Sequence, residues 1–216
     1  MQPTGRGPAP DLSMNIICIP RGPFMSNMYL AYFDNDLFVI DPSVDPDTLD
    51  REIPQVTAFL ITHGHYDHIK YVEKWHQRFP DAPIYMSSGD AALIADARAN
   101  CSFMDGIVKL FDFPYENPGE NLEVGSVSVK VIPTPGHTMG SVCYLFSENG
   151  TDHLFTGDTV FEGSVGRTDM PGGSYELLKR SVALISTFPP EMHIYPGHGP
   201  DSTVGNEVRY NPFFVN

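Results

Sequence analysis

The chain has 216 residues and a mass of 23.9 kDa, 41% of them apolar and 19% charged. That is enough to bury a core without disulfide staples, and it excludes a disordered chain or a coiled coil. The 27 acidic against 13 basic side chains leave a net charge of −14 and a pI near 4.7, so nucleic-acid backbones and anionic membrane surfaces are disfavoured as partners. No apolar run approaches the roughly 18 residues of a transmembrane helix. The 20 prolines and 19 glycines speak for many short elements joined by turns rather than a helix bundle. Residues 1–13 are polar and rich in Pro and Gly and lack the apolar core of a secretory signal. They read as a loose leader ahead of one domain over 14–216. Cys18, Cys101 and Cys143 are sparse and odd in number, which suits a reducing compartment and a cytoplasmic location.

Strands are predicted over 15–19, 27–33 and 37–40, the last two joined by the turn Asp34-Asn35-Asp36. A short apolar run over 56–61 ends abruptly at Thr62-His63-Gly64-His65. Ile69, Val72, Trp75 or His76, and Phe79 then recur at helical spacing. A strand over 84–86 and an alanine-rich helix over 89–99 follow. Val127, Val129 and Val131 alternate with polar residues in a half-buried strand that ends at Pro133-Thr134-Pro135-Gly136-His137. Strands over 142–146 and 153–155 come next, the second ending at Thr156-Gly157-Asp158. Ser174 is a candidate N-cap for a helix with Tyr175, Leu178, Val182 and Ile185 on one face, stopped by Pro189-Pro190. A strand over 192–195 ends at Pro196-Gly197-His198. Two blocks of strands, each followed by helices, predict an α/β sandwich of two packed sheets with helices outside.

Five of these strand ends finish in a coordinating side chain: Asp41, the cluster from His63 to His68, His137, Asp158 and His198. In the last four a glycine adjoins the ligand-type residue and lets the backbone turn sharply and pack closely. His63-Gly64-His65-Tyr66-Asp67-His68 places four metal-type side chains in six residues. On a short loop His63 and His65 can reach one ion, while Asp67 and His68, where the helix begins, can face a second. Singly, His137, His198, Asp158 and Asp41 also read as ordinary turn residues. His76, His153 and His193 lie away from the strand ends, and Cys143 reads as a small buried hydrophobe.

In this order the five sites resemble the metallo-β-lactamase superfamily, over nearly the whole stretch from Asp41 to His198. The resemblance implies an αββα four-layer sandwich of two mixed sheets with a two-metal site along one edge. It assigns His63, His65 and His137 to a first metal and Asp67, His68 and His198 to a second. Asp158 would bridge the two, and Asp41 would orient the loop without binding metal. Two divalent ions, zinc before iron or manganese, less two carboxylates and a bridging hydroxide, leave a local charge of +1. Such a site hydrolyses an ester-like bond without a serine or cysteine nucleophile. Asp67 would also accept or relay the proton of the attacking water.

Asp158 stands where many true β-lactamases place a cysteine ligand, which points away from antibiotic hydrolysis. The stretches from Gly136 to Val142, Phe161 to Asp169 and Tyr195 to Pro200, with the tail over 205–213, look like short bacterial members of the glyoxalase II group. The implied reaction is hydrolysis of a small-molecule thioester, S-lactoylglutathione or a similar acyl-thiol. Full-length glyoxalase II adds a C-terminal helical region that grips glutathione, and this chain reaches only Asn216. A rival reading is a persulfide dioxygenase with one iron on His63, His137 and Asp158, since that family shares a stretch like Gly166-Arg167-Thr168-Asp169. A lactonase and a non-enzymatic metal module are further alternatives. Arg167 has two readings, a holder of a substrate carboxylate or a pin for its own loop through Asp169. Phe161 and Tyr144 either line the pocket or pack in the core.

Overall fold

A computed structural model describes residues 14–33, 35–148 and 150–214. The predicted leader, and Asp34 of the first predicted turn, lie outside the described residues. Strands β1 (Asn15–Ile19), β2 (Met28–Phe33), β3 (Asp36–Ile40), β4 (Ala58–Leu60) and β5 (Ile84–Tyr85) form one sheet in that spatial order. Its first two pairings are antiparallel and its last two parallel. Helices α1 (Tyr66–Ile69), α2 (Val72–Arg78) and α3 (Ala91–Ile94) belong to this half. The second half supplies β6 (Asn121–Val124), β7 (Val127–Pro133), β8 (Val142–Glu148), β9 (Thr151–Gly157), a small hairpin of β10 (Val160–Phe161) and β11 (Ser164–Val165), helix α4 (Tyr175–Ile185), β12 (His193–Pro196), β13 (Ser202–Thr203) and helix α5 (Val204–Tyr210). The second sheet has the order β13-β12-β9-β8-β7-β6, mixed because β12 runs parallel to β9.

Alternation along the strands builds three buried seams. Met28 and Leu30 of β2 face outward onto Ile69, Val72 and Trp75, while Tyr29, Ala31 and Phe33 face inward onto Tyr144, Phe146 and Phe155 of the second sheet. Between the sheets Phe38 meets Phe146 edge-on at 5.2 Å, and Phe146 meets Phe155 at 5.6 Å. Each such buried side chain contributes about 1.5–3 kcal/mol of transfer free energy. Cys143 and Leu145 of β8 turn the other way, onto Leu178, Val182 and Ile185 of α4. The layers therefore run helix, sheet, sheet, helix, the predicted αββα sandwich. Tyr144 belongs to the core, its hydroxyl donating to the Ile61 carbonyl at 3.0 Å directly below the His63 loop. Ser174 caps α4 as predicted, its Oγ accepting from Leu177 N at 3.4 Å.

Two predicted helices are corrected. The helix over 89–99 shrinks to a 3-10 turn at Ser88–Asp90 and the single turn of α3. The Asp96 carboxylate accepts from the N–H groups of Arg98 and Ala99 at 2.7 and 3.1 Å, and this local turn competes with the helix. The helix after the His cluster is broken between α1 and α2, where Tyr71 N donates to the Pro42 carbonyl at 3.1 Å. The hairpin, β6, β13 and α5 were not predicted, and most are too short for periodicity to register. Tertiary contacts hold them. Glu207 of α5 is fully buried and accepts from Gly163 N of the hairpin and from Asn211 Nδ2, both at 2.8 Å. Among the described residues no helix is long and apolar enough to cross a membrane.

Candidate metal centre

Asp41 directly follows β3, Asp158 directly follows β9, and His198 lies just past β12. The loop after β4 carries His63 and His65 into α1, which carries Asp67 and His68, while His137 sits on the loop between β7 and β8. Because β3 runs parallel to β4 and β9 to β12, their C-terminal ends point to one edge of the sandwich. There the side chains meet. One ligand-type atom from each of His63, His65 and His137 lies within 4.8 Å of the others, and the same holds for Asp67, His68 and His198. These are the two groups of three that the family resemblance implies. The Asp158 carboxylate stands between them, with Oδ1 3.3 Å from His68 Nε2 and Oδ2 3.4 Å from His137 Nε2 and 3.6 Å from His198 Nε2.

Asp41 also lies close to His63 and His68, but its oxygens are already engaged. Oδ1 accepts from Thr62 N at 2.7 Å, and Oδ2 accepts from Thr62 Oγ1 at 2.7 Å and from His68 Nδ1 at 2.9 Å. Asp41 holds a left-handed φ of 50°, a conformation that aspartate tolerates better than most residues. Through these bonds it braces Thr62 and His68, with both of its oxygens occupied.

The hydrogen-bond frame sets the imidazole tautomers. His137 Nδ1 donates to the Arg167 carbonyl at 2.7 Å, His68 Nδ1 to Asp41, and His63 Nδ1 to Thr62 Oγ1 at 3.0 Å. Each of these rings then turns Nε2 toward the cluster, the arrangement by which metal-binding histidines are fixed. His65 faces the same point with Nδ1, 2.8 Å from His137 Nε2. The Nε2 atoms of His63 and His68 and Asp158 Oδ1 are buried with no hydrogen-bond partner. Left so, each would cost about 1–3 kcal/mol. Five imidazoles and two carboxylates in two groups form a donor set that fits a pair of divalent cations.

Electrostatics divides the site. Burial, reinforced by neighbouring imidazoles, pushes His63 well below the usual histidine range and His65 down to about 3. Both are neutral at pH 7, the metal-binding form. Burial also disfavours a charged His68, but Asp67, Asp158 and Asp41 outweigh it and hold His68 well above the usual range. His198 is raised against its own burial by its hydrogen bond to Asp67. Asp158 stays well below the usual carboxylate range despite burial, because His68 faces it.

One residue that builds the site has no counterpart in the sequence reading, and one glycine named there finds its reason. Asp90, 1% exposed, accepts from Gly64 N and Thr138 Oγ1, both at 2.8 Å, and from Gly140 N at 2.7 Å. One carboxylate thus ties the His63–His65 loop to the His137 loop. It sits in the run read as a featureless alanine-rich helix, with no local signal of its role. Gly197 is required for a different reason, since a Cβ there would lie 2.1 Å from Asp158 Oδ1 and 2.7 Å from His68 Cε1.

The family model for the metallo-beta-lactamase superfamily matches residues 21–198. The chain belongs to this superfamily. It is 32% identical to the "Probable metallo-hydrolase YqgX" of Bacillus subtilis over 90% of this chain and 95% of that protein. It is 30% identical to "Hydroxyacylglutathione hydrolase GloC" of Haemophilus influenzae, over 93% and 98%. Among solved structures, the BLEG-1 B3 metallo-beta-lactamase superposes with a TM-score of 0.85 at 32% identity, over 94% of this chain and all of the other. TTHA1623 in a di-iron-bound form gives 0.79 at 30%, over 91% and 99%.

In this metallo-beta-lactamase superfamily chain a cavity of about 300 Å³ opens onto His65, Asp67, His137, Asp158 and His198. Phe24, Cys101, Met104, Arg167 and Met170 complete its wall. Arg167 forks onto Asp169 with contacts of 2.6 and 2.7 Å, and it also borders the cavity. Phe161 meets His198 edge-on with 5.9 Å between ring centroids and is not among the lining residues. Cys143 is fully buried, its thiol pushed up to about 11 by burial, in keeping with a packing role.

Proposed function

We propose that the chain is a metal-dependent hydrolase that cleaves an acyl thioester, S-lactoylglutathione or a similar acyl-thiol, in a glyoxalase II-like reaction. The carrying observation is the placement of Asp158 between two groups of three ligand-type side chains, each able to hold one ion. The names of the relatives support this reading, one a metallo-hydrolase and one a hydroxyacylglutathione hydrolase. The di-iron form of TTHA1623 supports two metals, with zinc, iron and manganese all compatible with these donors.

In this reading His63, His65 and His137 would hold one ion and Asp67, His68 and His198 the other, with Asp158 available to both. Two divalent ions, when bound, lower the pKa of water to about 7 and polarise an acyl carbonyl. The chain's own groups do the rest. Asp67, whose Oδ2 lies 3.1 Å from His198 Nε2, takes the proton of the attacking water. Water oxygen bonds to the acyl carbon, the carbon–sulfur bond breaks, and the sulfur leaves as the thiol with the proton that Asp67 took from the water. Arg167 at the cavity rim holds a substrate carboxylate. Cys101 borders the cavity, but burial pushes its thiol up to about 11, so it is a poor nucleophile at neutral pH.

Metal analysis coupled to turnover of S-lactoylglutathione, a lactone, a β-lactam and glutathione persulfide tests the reading. Two ions per chain with preferred thioester hydrolysis is the expected result. One iron with oxygen consumption on the persulfide, or preferred turnover of the lactone or the β-lactam, overturns it.

A further inference from the structure

Beside the metal cavity lies a second, larger cleft of about 930 Å³. Its wall includes Phe103, Val108, Leu110, Met170 and Pro171, with Asp96 and Arg98 as its charged members. Met170 lines both spaces. In the 3-10 turn Ser102–Asp105, Phe103 faces the cleft while its neighbour Met104 borders the metal cavity. The cleft therefore adjoins the metal cavity across a wall formed by Met170 and the Phe103-Met104 turn.

Its apolar residues are unusually open to water: Phe103 is 52% exposed, Leu110 61% and Val108 83%. They are not on a loose segment. Asn100 is fully buried, its Nδ2 donating to the carbonyls of Ile94 at 3.2 Å and Lys109 at 2.9 Å, and its Oδ1 accepting from Ser102 N at 2.9 Å. Lys109 N donates to Ser102 Oγ at 3.1 Å, and Lys109 Nζ pairs with Glu73 at 2.7 Å. A polar frame thus holds an exposed apolar surface in place, a pre-organised arrangement that favours a ligand over random exposure. One arginine beside one aspartate is a poor match for a polar thiol carrying several carboxylates.

We infer that this cleft seats an alkyl or aryl arm of the substrate, whose thioester carbon then reaches the metal cavity past Met170. The inference rests on the thioester reading above and narrows it to substrates with one apolar half.

Two substrate series test it on the metal-loaded protein. One lengthens the acyl group from acetyl to octanoyl on N-acetylcysteamine, and the other lengthens an alkyl thiol on a fixed acetyl group. One series should rise in kcat/KM by about two- to fourfold per methylene. Val108→Asp and Leu110→Asp should cut the long-to-short ratio of that series at least tenfold. Flat profiles in both series, with S-lactoylglutathione turned over, overturn the cleft and leave the hydrolase reading standing. If no thioester is hydrolysed, the hydrolase reading fails, and calorimetric binding of the same compounds decides the cleft. Affinity that grows with chain length and is lost in Val108→Asp supports it, and affinity independent of length overturns it. A change in self-association by Val108→Asp, with the length dependence unaltered, assigns the face to a second copy and overturns it as well.

Discussion

The Asp41 carboxylate holds the His68 imidazole from behind, with Oδ2 2.9 Å from Nδ1. The same carboxylate accepts from both Thr62 N and Thr62 Oγ1, and Thr62 Oγ1 in turn receives His63 Nδ1. One buried aspartate thus aims a histidine of each group. Asp41→Asn keeps the volume but removes the charge and offers an N–H₂ where an acceptor is needed. Metal affinity at the Asp67, His68 and His198 group should fall about 10- to 100-fold. Competition with a chelator, read as metal content per chain, checks this, and unchanged retention of the second ion would count against it.

Protons should accompany metal uptake unequally. His63 and His65 are neutral at pH 7 in the metal-free chain and release nothing on binding. His68 is held protonated by Asp67, Asp158 and Asp41, so an ion must displace its proton. Below the raised pKa, each unit of falling pH should weaken the second ion's affinity about tenfold. Acidification should thus release the ion of the Asp67, His68 and His198 group first. Calorimetry in buffers of different ionisation heat measures the proton count, and zero release on second-ion binding would refute the assignment.

Asp90 is predicted to be a positioning residue. Asp90→Ala leaves Gly64 N, Gly140 N and Thr138 Oγ1 without their acceptor in a buried place. The loss should be about 2 kcal/mol or more, a fall in Tm of roughly 4–8 °C. Metal affinity at the His63, His65 and His137 group should fall too, because that carboxylate sets the distance between their loops. Asp90→Asn, which keeps one acceptor, should recover part of both losses. Thermal melts with and without metal separate stability from positioning.

The Arg167 side chain and its backbone do different work. The carbonyl orients His137, while the exposed guanidinium forks onto Asp169 at the cavity rim. Arg167→Ala preserves the carbonyl, so metal content and Tm should be unchanged. KM for a carboxylate-bearing thioester should rise about tenfold with kcat within about twofold, the pattern of lost ground-state binding. A fall in folded yield with unchanged kinetics per folded molecule would assign the arginine to loop pinning alone.

What could be read without coordinates is local. Val127, Val129 and Val131, alternating with polar residues, marked a half-buried strand, and the unbroken apolar runs over 28–33 and 142–146 marked strands covered on both faces. The ligand-type residues showed because they gather at five strand ends, four of them beside a glycine, and the resemblance of that order to the superfamily's implied seven ligands and the role of Asp41. The roles of Asp90, the Arg167 carbonyl and Glu207 could not, since each acts on partners more than 25 residues away and a buried carboxylate looks like any other aspartate or glutamate in a row of letters. The apolar cleft was hidden for the same reason. Phe103 and Met170 are far apart along the chain, and only packing brings both to one opening. Sequence sets which groups are available and which face of a strand they take, whereas the distances that turn them into a site arise when the two sheets close on each other.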